Sequence, residues 1–176
     1  MAQTSLDSHS FLNPLGRSNV VSREEAIVVA RSWLNTPYRL GGRVKGAGCD
    51  CGSIIAEYLI EIGRCTREEL GDLGYYTHDW FQHTRDERYL LRLIRHAPKI
   101  LETVCMAKIA AEPGSLALFR SVDGRLYNHG GIVTKWPYLV NATVDGVKES
   151  NTLNFWLTAE CPVAIFDPWS LLDESR

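Results

Sequence analysis

The stretch "GAGCDCGSIIAEYLIEIG", residues 46–63, decides how the chain is read. Ile54, Ile55, Tyr58, Leu59 and Ile62 recur at helical spacing, and Gly63 closes the run, so the second half is an amphipathic helix. Asp50 stands where an N-cap belongs. That puts Cys51 in the first turn, where unpaired N–H groups and the helix dipole favour a thiolate. Cys49 precedes the cap and has no such advantage. The glycines before it allow another molecule to come close to the sulfur. The stretch is therefore a loop, a cap and a helix, with one of its two cysteines favoured as a working thiol.

On the N-terminal side, "SREEAIVVARSWLN" (22–35) opens with a capping box of Ser22 and Glu25. Its apolar residues Ala26, Ile27, Ala30, Trp33 and Leu34 predict a helix. Pro37 and the glycines of "TPYRLGGRVKGAG" (36–48) break it into a loop. Further on, a box of Thr84 with Glu87 predicts another helix that stops before Pro98. After Gly114 the character changes. "SLALF", "GGIVTKW", "YLVNATV", "GVKES" and "PVAIF" are short, β-branched or alternating, and separated by turn residues. Helices first and strands later predict an α+β fold, with N-terminal helices packed on a C-terminal antiparallel meander.

The 176 residues suit one domain, with residues 1–20 as an arm, 21–169 as the folded unit and 170–176 as a tail. A net charge of −2 argues against nucleic acid as the main partner. No apolar run approaches the roughly 20 residues of a spanning helix, so no membrane insertion is expected. The first residues lack the basic and apolar regions of a signal peptide, which predicts synthesis in the cytoplasm. Five cysteines is an odd number for a disulfide framework and fits a reducing compartment. Cys65, Cys105 and Cys161 are expected to be buried packing residues.

A nucleophilic thiol needs a base, itself held by a third polar group. His9 lies in the arm, His78 and His83 in a polar loop, and His96 near a helix end; all read as surface residues. His129 starts a strand and is followed by two glycines that leave room for its ring. Twelve residues later, Asn141 interrupts an apolar strand. A hairpin can set such a pair side by side, and the turn near Lys135–Tyr138 decides whether it does. The alternatives for the two cysteines are weaker. Zinc asks for about four ligands in wider-spaced clusters, and a redox couple prefers C-x-x-C. No metal or other cofactor is expected.

In this order and spacing the motifs resemble those of the NlpC/P60 cysteine peptidases, and most of all the phage cell-wall peptidase branch. The matching residues are Thr36-Pro37-Tyr38 with Gly41-Gly42, then Gly46-Ala47-Gly48-Cys49-Asp50-Cys51. Pro113-Gly114 follows, then His129-x-Gly131-Ile132, and Asn141 on the next strand. "YYTHDW" (75–80) resembles a tyrosine–aspartate–tryptophan stretch of the phage branch. The resemblance spans Val21 to Trp169 and implies a papain-like fold that cleaves peptidoglycan stem peptides, usually at the γ-D-glutamyl–diamino acid bond. It implies Cys51 as nucleophile, His129 as base and acid, and Asn141 as the residue orienting the imidazole. It further implies Tyr38 as a substrate or oxyanion contact and Asp50 as a contact for the substrate amine. A phage-type enzyme without a signal peptide implies a place in a phage or phage-derived tail, with tail proteins held by the N-terminal arm and action in the periplasm or cell wall. Two departures stand out: Gly52-Ser53 replaces the usual serine directly after the nucleophile, and Ser115 replaces the usual aspartate after Pro-Gly. The other classes compatible with the sequence are an assembly protein with weak or lost hydrolysis, and an amidase or acyltransferase on the same fold.

Overall fold

The computed structural model describes residues 21–71, 76–77, 96–103, 110–120, 126–152 and 162–170. The N-terminal arm, the helix expected after Thr84, most of the "YYTHDW" stretch, His9, His78, His83, Cys105 and Cys161 lie outside them.

Helix α1 covers Arg23–Arg31, and its N-terminus is the expected capping box. Glu25 N–H donates to Ser22 Oγ at 3.2 Å, and Ser22 N–H donates to Glu25 Oε2 at 2.8 Å. The helix is shorter than its apolar pattern suggested. Trp33 and Leu34 fall in the following turn, where Trp33 is nonetheless buried and bonds Glu61 through its indole N–H. Two short strands, β1 (Arg43–Val44) and β2 (Gly48–Cys49), then form an antiparallel ribbon that ends at Asp50.

Helix α2 runs from Cys51–Glu61. It ends because Gly63 adopts a φ of 74°, letting its own N–H reach the Ile60 carbonyl and the Arg64 N–H reach the Leu59 carbonyl. A one-turn helix, α3 (Arg67–Leu70), follows and has its own capping box, Thr66 with Glu69, which the sequence reading did not single out.

The remaining strands are β3 (Lys99–Thr103), β4 (Leu116–Arg120), β5 (Tyr127–Lys135), β6 (Tyr138–Thr143), β7 (Gly146–Asn151) and β8 (Val163–Phe166). Among the described residues they make a six-stranded antiparallel sheet in the order β3-β8-β4-β5-β6-β7. All five expected strands are present, and β4 to β7 form the expected meander. β8 is not added at the β7 end but returns to pair with β4, and β3 pairs beyond it. β3 was missed because "KILET" is largely exposed and carries Lys99 and Glu102, the charges that suit a sheet edge.

Helices α1 and α2 cover one face of the sheet. Ala26, Ala30, Ile54, Ile55, Tyr58, Leu59 and Ile62 pack there against Leu116, Leu118, Ile132, Val140, Ala164 and Phe166. Each fully buried Ile, Leu or Val side chain of this layer contributes about 1.5–3 kcal/mol. The opposite face has its own apolar layer of Ala117, Phe119, Val133, Leu139, Val163 and Ile165. Burial on both faces explains why "SLALF" and "PVAIF" read as continuous apolar runs. Gly130 sets how close α2 sits to β5: a Cβ there would lie 2.4 Å from Leu118 Cδ2 and 3.0 Å from Ile55 Cδ1. The start of α2 is thereby held against the start of β5.

Candidate active site

The loop before α2 is folded tightly enough to fix where the helix begins. Tyr38 bridges to Cys49 in parallel register, with Cys49 N–H donating to the Pro37 carbonyl and Arg39 N–H to the Cys49 carbonyl. Gly42 is needed because a side chain there would stand 2.6 Å from the Gly48 carbonyl oxygen. Asp50 is the N-cap. Its Oδ1 accepts from Gly52 N–H at 3.1 Å and Ser53 N–H at 2.8 Å, and Ser53 Oγ accepts from Asp50 N–H at 2.8 Å. The Gly52-Ser53 order thus has a local reason: a serine at the third helical position closes a capping box with Asp50. Asp50 Oδ2 is also occupied, by Gly41 N–H at 2.6 Å and by the Tyr76 hydroxyl. The carboxylate is 3% exposed and has four described donors.

Cys51 is the first residue of α2 and is half-buried. Its Sγ donates to the Asn128 carbonyl at 3.8 Å, and Gly130 N–H donates to the sulfur. The residues on either side of His129 therefore both touch the thiol through their backbone. Burial pushes the thiol up to about 12, and the neighbouring Asp50 carboxylate adds to the rise. The N–H groups of Gly130, Cys51 and Gly52 pull the other way without prevailing. The helix start favours the thiolate, as expected of its position, but burial and the Asp50 charge outweigh it. The carboxylate that caps the helix stands next to the sulfur, and the site is too dry for its charge to be screened.

His129 lies opposite Phe119 on β4, with ring centroids 6.2 Å apart. Burial lowers the imidazole to about 4, and a hydrogen bond that the ring donates to Asn141 partly offsets the drop. At rest both the thiol and the imidazole are therefore neutral. The hairpin register settles how Asn141 reaches the ring. Ile132 faces Val140, so the next pair outward is Gly131 and Asn141. A Cβ on Gly131 would stand 2.9 Å from the Asn141 Cβ and 2.8 Å from the Val140 carbonyl oxygen. The glycine leaves the gap across which the Asn141 side chain extends to His129, two residues back on the same strand.

Asn141 is 3% exposed, and its Nδ2 donates to Ser150 Oγ at 2.8 Å and to the Leu139 carbonyl at 3.4 Å. Tyr38 is half-buried beside the site. Burial first, then Cys51 and Asp50, raise its hydroxyl to about 12, so it remains a donor at ordinary pH. Cys51, Asp50 and Tyr38 thus stand together, and His129 is bonded to Asn141 while its two chain neighbours touch the thiol through their backbone. Cys49 is fully buried, and its thiol is also pushed up to about 12 by burial and Asp50. Tyr76, Phe119 and Ser150 were missed. Tyr76 belongs to the quoted "YYTHDW" stretch, whereas nothing in "GVKES" marks Ser150 as more than a strand residue.

Among the described residues, no three His, Cys, Asp or Glu side chains are grouped to hold a metal ion, and no described helix is long and apolar enough to cross a membrane. No protein-family model matches the sequence, and no curated protein matches it. Among solved structures, the crystal structure of the NlpC/p60 domain of peptidoglycan hydrolase SagA matches with a TM-score of 0.50 at 18% sequence identity. The match covers 82% of this chain and 98% of that chain. The protein therefore has the α+β, papain-like fold of NlpC/p60 domains.

Proposed function

We propose that the protein is a cysteine endopeptidase that hydrolyses peptidoglycan stem peptides. The observation that carries this reading is the convergence on one sulfur: Cys51 starts a helix, touches the backbone on both sides of His129, and His129 is bonded to Asn141. Because thiol and imidazole are both neutral at rest, His129 acts as a general base during attack rather than as half of a standing ion pair. It takes the Sγ proton as sulfur bonds to the peptide carbonyl carbon. The oxyanion that forms lies near the Cys51 N–H and the Tyr38 hydroxyl, both of which can donate to it. The imidazolium then returns its proton to the departing amine, leaving a thioester on Cys51. A water molecule, deprotonated by His129, attacks the thioester and releases the acid and the free thiol.

The substrate class is supported by the motif resemblance and by the neighbour of known fold, whose own description is a peptidoglycan hydrolase. Within it, the γ-D-glutamyl–diamino acid bond is the proposed scissile bond. Asp50 is proposed to act on the substrate amine electrostatically, since its oxygens already have four described donors. The arm at residues 1–20 is proposed to hold the enzyme among phage-type tail proteins, carrying it to the cell wall. Incubating the protein with defined muropeptides and identifying the products by mass spectrometry tests the reaction. Release of a fragment ending in D-glutamate is expected, and intact muropeptides after prolonged incubation would refute it. Removal of residues 1–20 is expected to abolish incorporation into particles while leaving cleavage in solution intact.

A further inference from the structure

Asn141 can help His129 only if its amide faces the right way. The two ends of the group are nearly the same size but opposite in hydrogen-bonding sense. An imidazole N–H needs the carbonyl oxygen, and a flipped amide would confront it with N–H groups instead. Asn141 itself does not decide between these arrangements. The Leu139 carbonyl, an acceptor only, lies 3.4 Å from Nδ2, a long bond. The shorter contact is to Ser150 Oγ at 2.8 Å, from the neighbouring strand β7.

The register explains why that hydroxyl is within reach. Asn141 pairs with Lys148 and Leu139 with Ser150, so Ser150 is the diagonal neighbour of Asn141 across β6 and β7. His129 is the corresponding diagonal neighbour on the other side, across the gap at Gly131. Three adjacent strands thus carry a row of imidazole, carboxamide and hydroxyl. Asn141 is buried, and its nitrogen end faces two oxygens: the Leu139 carbonyl, which can only accept and so gives the amide its sense, and the Ser150 hydroxyl, which makes the shorter bond.

We propose that Ser150 is a positioning residue of the active site: with the acceptor-only Leu139 carbonyl, its hydroxyl oxygen holds the Asn141 amide nitrogen, which turns the amide oxygen toward His129 and fixes the tautomer of the imidazole. This rests on the hydrolytic role of His129 for its kinetic consequence, but its structural part can be read without any substrate. In the full-length protein with ¹⁵N-labelled histidine, the His129 resonances are assigned by His129→Gln, and the two ring-nitrogen shifts near pH 7 report the tautomer. Wild type is expected to show one tautomer, Ser150→Ala a mixture of two, and Ser150→Thr, which keeps the hydroxyl, one again. On muropeptides, Ser150→Ala is expected to lose about tenfold in kcat with KM little changed, and Ser150→Thr to recover most of it. A single, unshifted tautomer in Ser150→Ala would overturn the proposal, whether or not activity fell. If wild type is inactive but the tautomer responds as expected, the positioning role stands and the proposed reaction fails.

Discussion

Helix α2 carries two buried carboxylates two turns apart, and they are satisfied in opposite ways. Glu57 is neutralised by charge: Arg43 Nε lies 2.6 Å from Oε1, and Arg67 bonds both oxygens at 2.9 and 2.6 Å. Asp50 is satisfied by neutral donors, three backbone N–H groups and the Tyr76 hydroxyl. Its geometry is as complete as that of Glu57, but its charge is not cancelled by these partners. The consequence is visible nearby, where Asp50 contributes to raising Cys49, Cys51 and Tyr38. Hydrogen bonds can hold a carboxylate in place without hiding its field. Glu57 ties a loop and a short helix to α2, while Asp50 adds its field to the burial that keeps the thiol protonated.

The largest effect expected of this arrangement is on stability in acid. His129 has a folded value of about 4 against an ordinary 6.5. Between those values the unfolded chain binds a proton that the folded chain does not, so stability falls as pH drops from about 6.5 to about 4 and this contribution is gone below that. The size is on the order of 3 kcal/mol. Urea unfolding at pH 7 and pH 4.5 should show the loss in wild type and a smaller loss in His129→Gln; equal losses would mean the imidazole is not held neutral.

Next is Glu57→Ala, which leaves Arg43 largely buried without its partner. A cost of about 2–3 kcal/mol is expected, between that of an exposed pair and a fully buried one. The pH profile of Cys51 alkylation should not move. If it does, the two carboxylates are less different than their partners suggest.

Asp50→Asn keeps a capping side chain and removes the charge. Cys51 should then react with iodoacetamide about tenfold faster at neutral pH, the effect of roughly one unit in the thiol. An unchanged rate would assign the high thiol value to burial alone. The smallest effect is expected from Tyr76→Phe. It deletes one donor to Asp50 and should cost about 1 kcal/mol in unfolding free energy, with Cys51 slightly harder to ionise. A gain in stability would show that the hydroxyl is a strained contact rather than a support.

Much of this site was legible in the sequence because it is built from local rules. Asp50 as N-cap, the Ser22–Glu25 box, the stop at Gly63 and the five strands each follow from residues a few positions apart. The pairing of His129 with Asn141 was also foreseeable, though the turn left their shared face undecided until the register put Gly131 between them. What was illegible depends on distant chain. β8 pairs with β4 through tertiary packing, and β3 has almost no apolar face to betray it. Tyr76 and Ser150 reach the site from other segments, and no spacing in the sequence announces them. The protonation of the thiol was illegible for a related reason. The helix terminus is visible in sequence, but burial and the unscreened charge beside it are not.

The central claim is that Cys51, and not its neighbour Cys49, carries out hydrolysis. Cleavage of purified muropeptides by wild type, Cys51→Ala and Cys49→Ala, compared by rate and by product mass, tests it most directly. No cleavage is expected from Cys51→Ala, and Cys49→Ala should retain cleavage with the same products. Cleavage by Cys51→Ala at the wild-type rate would contradict that claim.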